Sequence, residues 1–197
     1  MFLPDAPLPD GLFRFIALDV ETANRDAASI SQIGLACVRS DGGIETFSTY
    51  INPDQEFADF NTELTGIDAG TVRDAPSFAQ AWQRMMPLLS RHLMVQHSGF
   101  DQKAITAACR AAGLNGPKME WADSVKIARK AWPEFRGNGG HGLGHLKKAL
   151  GLEFHHHDAG EDARAAAEVV LLAEERLKCT IEEITGKIKH LQLTFEF

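Results

Sequence analysis

Phe13-Arg14-Phe15-Ile16-Ala17-Leu18-Asp19-Val20-Glu21-Thr22 is an apolar run that closes on two carboxylates. Its composition predicts a buried strand over residues 13–19. Residues two apart in a strand point the same way, so Asp19 and Glu21 share a face. Two carboxylates side by side at the end of an apolar strand repel each other and are costly to desolvate unless a cation lies between them. Magnesium and manganese, which prefer oxygen ligands, suit that position. Taken alone, the same Asp-x-Glu also reads as a solvated strand edge.

Downstream, residues 24–29 read as a loop, and two further β patterns at 32–39 and 44–51 flank Ser40-Asp41-Gly42-Gly43, a source of the positive-φ residues a tight reversal needs. The two patterns are expected to pair as an antiparallel hairpin, which puts the first three strands in one sheet. Ala75-Pro76-Ser77 starts a helix whose stripe of Phe78, Trp82, Met85 and Leu89 belongs in the core. A short strand at 93–95 runs through Gln96-His97-Ser98-Gly99-Phe100-Asp101 into a helix that carries Ile105, Ala108 and Cys109 inward and stops at Gly113. Asp101 sits at this handover, where on its own it reads as a helix N-cap. A last short strand over 119–123 and helices near 124–131, 143–150 and 159–178 complete the pattern. Asp162, near the start of the last helix, also suits the positive end of the helix dipole.

The pattern is that of an α/β protein, a mixed five-stranded sheet flanked by helices. Residues 1–12 form an N-terminal lead, 13–178 the domain, and 179–197 a tail that packs on the domain or contacts a partner. The tail carries a helical start, Ile181-Glu182-Glu183-Ile184, and an alternation, Leu191-Gln192-Leu193-Thr194-Phe195.

A chain of 197 residues fits one domain with a sizeable core. Its net charge of −7 argues against broad electrostatic binding to nucleic acid, although bound metal ions reverse the sign locally. The three cysteines, Cys37, Cys109 and Cys179, show no Cys-x-x-Cys spacing, so neither a disulfide framework nor a cysteine zinc site is expected. No basic segment precedes an apolar stretch at the N-terminus, and no run is long enough to span a bilayer. The expectation is a soluble cytoplasmic protein with no membrane contact; the oligomeric state is left open.

Three histidine and glycine patterns compete for attention. Residues 137–142 match G-x-G-x-x-G by letter, but they follow Trp132-Pro133-Glu134-Phe135-Arg136 rather than a strand, so a mobile loop on the substrate side is expected in place of a dinucleotide site. His141 and His145 stand four apart, yet Gly142 and Gly144 argue against a helix that would present both to zinc. His155-His156-His157 has the look of a nickel or zinc tract.

Three segments occur in an order that carries more than any one of them: Leu18-Asp19-Val20-Glu21-Thr22, His97-Ser98-Gly99-Phe100-Asp101, and His157-Asp158-Ala159-Gly160-Glu161-Asp162-Ala163. Leu64-Thr65-Gly66-Ile67 and Trp121-Ala122-Asp123-Ser124 are lesser echoes. Over roughly residues 13–175 the chain resembles the DEDD-type 3′-to-5′ exonucleases of the ribonuclease H-like fold, in their histidine-containing branch, whose members include the proofreading epsilon subunit of DNA polymerase III. It departs at His97, where the family most often has Asn, and at Ala122, where a bulkier residue is frequent.

The resemblance implies that Asp19, Glu21, Asp101 and Asp162 hold two divalent cations, magnesium or manganese, about 4 Å apart. It selects His157, five positions before the last aspartate, as the base. It leaves His155 and His156 structural or exposed, and Asp158 as a loop or cap residue. Substrate contacts are implied for Glu21, Thr22, His97 and Phe100. The implied partners are nucleic acid 3′ ends, DNA ahead of RNA, and a polymerase or other protein. An exoribonuclease and a polymerase-associated binding module are the alternatives.

Overall fold

A computed structural model describes residues 7–116 and 118–187. Among these residues five strands, β1 (Phe15–Thr22), β2 (Ile30–Val38), β3 (Ile44–Tyr50), β4 (Leu93–Gln96) and β5 (Trp121–Asp123), form one sheet in the order β3-β2-β1-β4-β5. β1, β2 and β3 pair antiparallel, while β4 and β5 add in parallel on the other side of β1. The mixed sheet expected from the sequence is therefore present. β1 begins two residues later than expected and runs on through Thr22, so both of its carboxylates lie within the strand.

Among the described residues seven helices follow the chain order: α1 (Asp59–Thr65), α2 (Phe78–Leu89), α3 (Phe100–Ala111), α4 (Ser124–Ala131), α5 (Leu143–Leu150), α6 (Ala159–Leu177) and α7 (Ile181–Thr185). The strand alternation of β1 sorts them into two layers. Ile16, Leu18 and Val20 pack with Trp82, Met85, Ile105 and Cys109 of α2 and α3. Phe15 and Ala17 pack instead with residues of α4, α5, α6 and α7. Asp19 and Glu21, in step with Phe15 and Ala17, therefore turn toward the α6 layer.

Two elements escaped the sequence reading, α1 and a 3₁₀ turn at Pro133–Phe135. In α7, Ile181 and Ile184 are core residues, and the Ile181 amide donates to Glu174 at 2.7 Å, so the packed body continues past residue 178. The Leu191 to Phe195 alternation lies outside the described residues. The glycine-rich stretch is a hydrogen-bonded turn: Gly137, Gly139 and Gly140 have positive φ, and the Asn138 and Gly140 amides both donate to the Phe135 carbonyl at 3.0 Å. Despite Gly144, α5 forms; His145 lies on it and His141 lies before it, with its Nε2 2.8 Å from the Trp132 carbonyl. Among the described residues no helix is long and apolar enough to cross a membrane.

Candidate active site

The approach of α6 to β1 is built by two residues of β2 that face the same side. Gly34 stands opposite Asp19 in the ladder. A Cβ placed there would lie 2.0 Å from the Ala159 carbonyl oxygen and 2.4 Å from the Gly160 nitrogen, so only glycine lets the start of α6 rest on the sheet at this point. Gln32, opposite Glu21 and 3% exposed, holds that helix end: its Oε1 accepts from the Ala159 amide at 3.1 Å and its Nε2 donates to Asp158 Oδ2 at 3.1 Å. Asp158 is the N-cap, accepting from the Glu161 amide at 3.1 Å, in the capping role expected of it. The consequence is that Asp162, one turn into α6, arrives over β1.

Carboxylate oxygens of Asp19, Glu21 and Asp162 lie within 4.8 Å of one another. Asp101 comes from the opposite layer. β1 and β4 pair from Phe15–Leu93 as far as Ala17–Val95, so further along β1 the Val20 amide is free of β4, and Asp101 Oδ1 accepts from it at 3.2 Å. Asp101 is not the N-cap of α3: Gly99 occupies that place without a side-chain cap, and Gln96 Oε1 meets the Gln102 amide at 2.9 Å instead. A glutamine on the preceding strand satisfies the helix end, which leaves the aspartate to cross over β1.

Burial is the largest influence on these acids. It pushes Asp19 well above the usual carboxylate range, helped by the charges of Asp101, Asp162, Glu21 and Asp158. It raises Glu21 to about 8, with Asp162, Asp101 and Asp158 adding to the rise. For Asp101 burial outweighs the Val20 hydrogen bond and carries the group to about 7. The charges that raise Asp19 and Glu21 are all acidic, so these carboxylates resist ionising together without a cation among them. An all-oxygen donor set of this kind fits hard divalent cations.

His157 adopts φ +70°, and its amide donates to Asp162 Oδ2 at 2.9 Å. Its imidazole is held below its usual pKa by burial and by His156, with Asp162 opposing. His156 is also drawn in: its Nδ1 lies 2.9 and 3.0 Å from the two Asp162 oxygens, and its ring stacks on that of His157 at 4.1 Å. His155 is exposed.

Of the residues assigned to substrate, Thr22 is buried and its carbonyl accepts from Asn61 Nδ2 of α1 at 2.8 Å, while Phe100 is 45% exposed. His97 is placed differently from that assignment. Its Nδ1 lies 2.7 Å from Ser124 Oγ and its Nε2 3.0 Å from the His141 carbonyl, and burial takes its pKa down to about 4. A neutral ring donates from Nε2 to the carbonyl, and Nδ1 faces the Ser124 hydroxyl, which also lies 3.1 Å from the Gln96 carbonyl. Both nitrogens are occupied within the protein, and the ring braces the glycine-rich turn, a reach that the shorter Asn lacks.

A family model described as Exonuclease (RNase_T) matches residues 16–170. The chain is 30% identical over 173 residues to the DNA polymerase III PolC-type of Bacillus cereus, a match taking in 86% of this chain and 12% of that protein. The chain thus spans about an eighth of the length of the curated relatives it matches. Its fold is similar to that of Exonuclease X in complex with 5′ overhanging duplex DNA, with a TM-score of 0.71 at 22% identity, covering 88% of this chain and 98% of that one. It is also similar to the nuclease domain of 3′hExo, a DEDDh family member, bound to rAMP, with a TM-score of 0.68 at 18% identity over 87% and 96% of the two chains. At these identities the structural likeness is one of fold, the ribonuclease H-like sheet with its flanking helices.

Proposed function

The chain belongs to the Exonuclease (RNase_T) family, of DEDDh type, and is a nuclease hydrolase, so we propose that it removes nucleotides one at a time from the 3′ end of DNA, releasing nucleoside 5′-monophosphates. The observation that carries this reading is the meeting of Asp19, Glu21 and Asp162, from two elements far apart in sequence, with Asp101 beside them. The family normally uses divalent metal ions. In this chain Asp19, Glu21, Asp101 and Asp162 would hold two of them, magnesium or manganese. When bound, such ions lower the pKa of the attacking water and offset charge that develops on the leaving oxygen.

His157 takes the proton from that water. Its lowered pKa keeps the imidazole neutral, and therefore able to accept, near neutral pH. The hydroxide forms a bond to the terminal phosphorus as the bond to the 3′ oxygen breaks in line, and the shortened chain keeps that oxygen. Glu21, the Thr22 backbone and Phe100 are the groups proposed to receive the 3′ end. Phe60 and Leu64, which α1 presents 72% and 41% exposed, add apolar surface of the kind on which unstacked bases rest.

DNA is favoured over RNA by the PolC-type relatives and by the DNA complex of Exonuclease X. The rAMP complex of 3′hExo supports an exoribonuclease as the second reading. The PolC relatives likewise support a polymerase as protein partner, with the tail after residue 178 as the segment to test for its contacts. Reduced Cys37 and Cys109, both buried and free, suit a cytoplasmic setting.

The test is a pair of 3′-ended single-stranded oligonucleotides of equal sequence, one DNA and one RNA, incubated with manganese beside the Asp19→Ala variant. Stepwise shortening from the 3′ end that disappears in the variant supports the exonuclease and reports the preferred sugar. Equal products from wild type and variant would sink the reading. No product with either oligonucleotide would favour a binding module.

A further inference from the structure

We propose that the lobe made by α4, the glycine-rich turn and α5 docks the phosphodiester backbone of a single-stranded polynucleotide upstream of its 3′ end. Residues 124–150 hold six lysines or arginines against one acid, Glu134. In a chain of 20 basic and 27 acidic residues, that leaves this segment at +5 and the remainder at −12. The one acid is itself paired outside the segment, with Arg176 at 2.8 Å. An acidic molecule thus carries its cations concentrated in one lobe, the electrostatic footprint of a phosphate-binding surface.

Helix stability alone does not account for these cations. Arg129, Lys130, Lys147 and Lys148 stand in the last turns of α4 and α5, where positive charge suits the helix dipole. Lys126 stands in the first turn of α4, where it does not. Spaced at i, i+3 and i+4, Lys126, Arg129 and Lys130 share the face of α4 opposite its buried Ile127, Ala128 and Ala131. Lys130 donates to the Ile184 carbonyl. Lys126, Arg129, Arg136 and Lys148 are exposed and make no ion pair among the described residues.

The lobe is fastened to the carboxylate cluster at both ends. His97, four residues before Asp101, lies 2.7 Å from the hydroxyl of Ser124, the first residue of α4, and 3.0 Å from the His141 carbonyl just before α5. At the other end of α5, Lys147 donates to the Phe154 carbonyl, and the Phe154 ring meets that of His156 edge-on at 5.8 Å. The segment anchored at the end of β1 has the opposite character. Residues 52–74, tied to the Thr22 carbonyl by Asn61, hold six acids against Arg73 alone, and present Phe60 and Leu64 outward. No large apolar side chain of residues 124–150 is exposed in that way. A single strand is therefore offered apolar surface without cations at α1 and cations without apolar surface at α4 and α5, which turns its bases to the first and its phosphates to the second. This placement of the 3′ end rests on the proposed exonuclease reading.

Binding is tested on the full chain with calcium, another cation that takes oxygen ligands, by the fluorescence anisotropy of DNA and RNA oligonucleotides of equal sequence over a range of salt. Lys126→Gln, Arg129→Gln and Lys148→Gln together should weaken both by at least about tenfold. They should also reduce the slope of log affinity against log salt by about 2, at about 0.7 per phosphate on a single strand. Removing three exposed cations elsewhere, by Arg73→Gln, Arg91→Gln and Arg110→Gln, should leave the slope unchanged. Equal losses in the two triple variants would assign the effect to net charge and overturn the lobe. An unchanged slope in the first triple variant, or salt-insensitive binding by wild type, would overturn it too, and the basic surface would then fit an acidic protein segment. A loss confined to DNA or to RNA would overturn a contact made to the backbone the two share.

The activity arm sets manganese-supported shortening of the DNA oligonucleotide beside hydrolysis of the p-nitrophenyl ester of thymidine 5′-monophosphate, a single diester with no upstream backbone. The first triple variant should raise KM for the oligonucleotide by about tenfold and leave kcat and the ester rate unchanged. Ester hydrolysis that falls in step would mean that the substitutions damage the site itself, and would overturn the docking role. If the wild type cleaves neither substrate, the exonuclease reading fails, while the salt slopes still decide the surface.

Discussion

Asp19 and His157 separate the demands of chemistry from those of folding. Asp19 is driven toward its neutral form by burial and by the acids around it, so in metal-free protein its charge works against the fold. Asp19→Asn, close in shape but uncharged, is expected to raise the melting temperature in the presence of chelator near pH 8, and to abolish hydrolysis when metal is restored. Thermal unfolding and the oligonucleotide assay together check this; a variant that is less stable and still active would contradict both halves. His157→Ala is expected to lower the rate by about a hundredfold or more, the usual cost of losing a general base. The comparison with His156→Ala sets the register. His156 is the closer of the two rings to the Asp162 carboxylate, yet only His157 has the spacing of the family base. If His156→Ala removes activity while His157→Ala does not, the roles assigned to the two rings are exchanged.

The elements show why some of this was legible in the sequence and some was not. Strand alternation and the Asp-x-Glu pair are local patterns, and β1 reads directly because each residue's face follows from its number. α1 was invisible for the same reason: none of its residues is buried, Phe60 and Leu64 point outward, and Ala58 caps it without a side-chain bond, so no inward stripe or capping signal marks it. Gln32, Gly34 and Gln96 were missed although they position Asp162 and Asp101. A glycine in an apolar strand is ordinary until a helix end is brought to within contact of it, and that is a property of the assembled layers. Gly34→Ala tests this most sharply. The added methyl meets the Ala159 backbone, and pushing α6 away should cost about 1–3 kcal/mol of stability. Hydrolysis should fall by more than the unfolded fraction explains, since Asp162 moves with the helix. Denaturant unfolding and the rate per folded molecule measure the two effects; a fully active Gly34→Ala would show that the close approach does not set the site.

At the scale of the whole molecule, the cluster makes stability depend on pH and on metal together. Glu21 moves from 4.5 to about 8 and Asp101 from 3.8 to about 7 on folding without metal, and Asp19 shifts in the same direction. Between the unfolded and folded values the native state holds more protons than the unfolded chain, so the free energy of unfolding falls as pH rises. The stabilising contribution is complete below the unfolded pKa values and is lost as pH climbs through about 7 to 8. In chelator, then, the melting temperature should drop across that window by several degrees. Divalent cations that bind the deprotonated cluster stabilise the native state by mass action, most where the carboxylates are charged, and so should flatten or reverse the slope. Thermal unfolding from about pH 5 to about pH 9, with chelator and with magnesium or manganese, reads both curves. Asp19→Asn supplies the internal control: with one coupled acid removed, its chelator curve should be flatter than that of the wild type. A wild-type curve in chelator that is level or rises through neutral pH would mean that these acids are not buried together in the metal-free protein, and the cation requirement inferred from their repulsion would lose its physical basis.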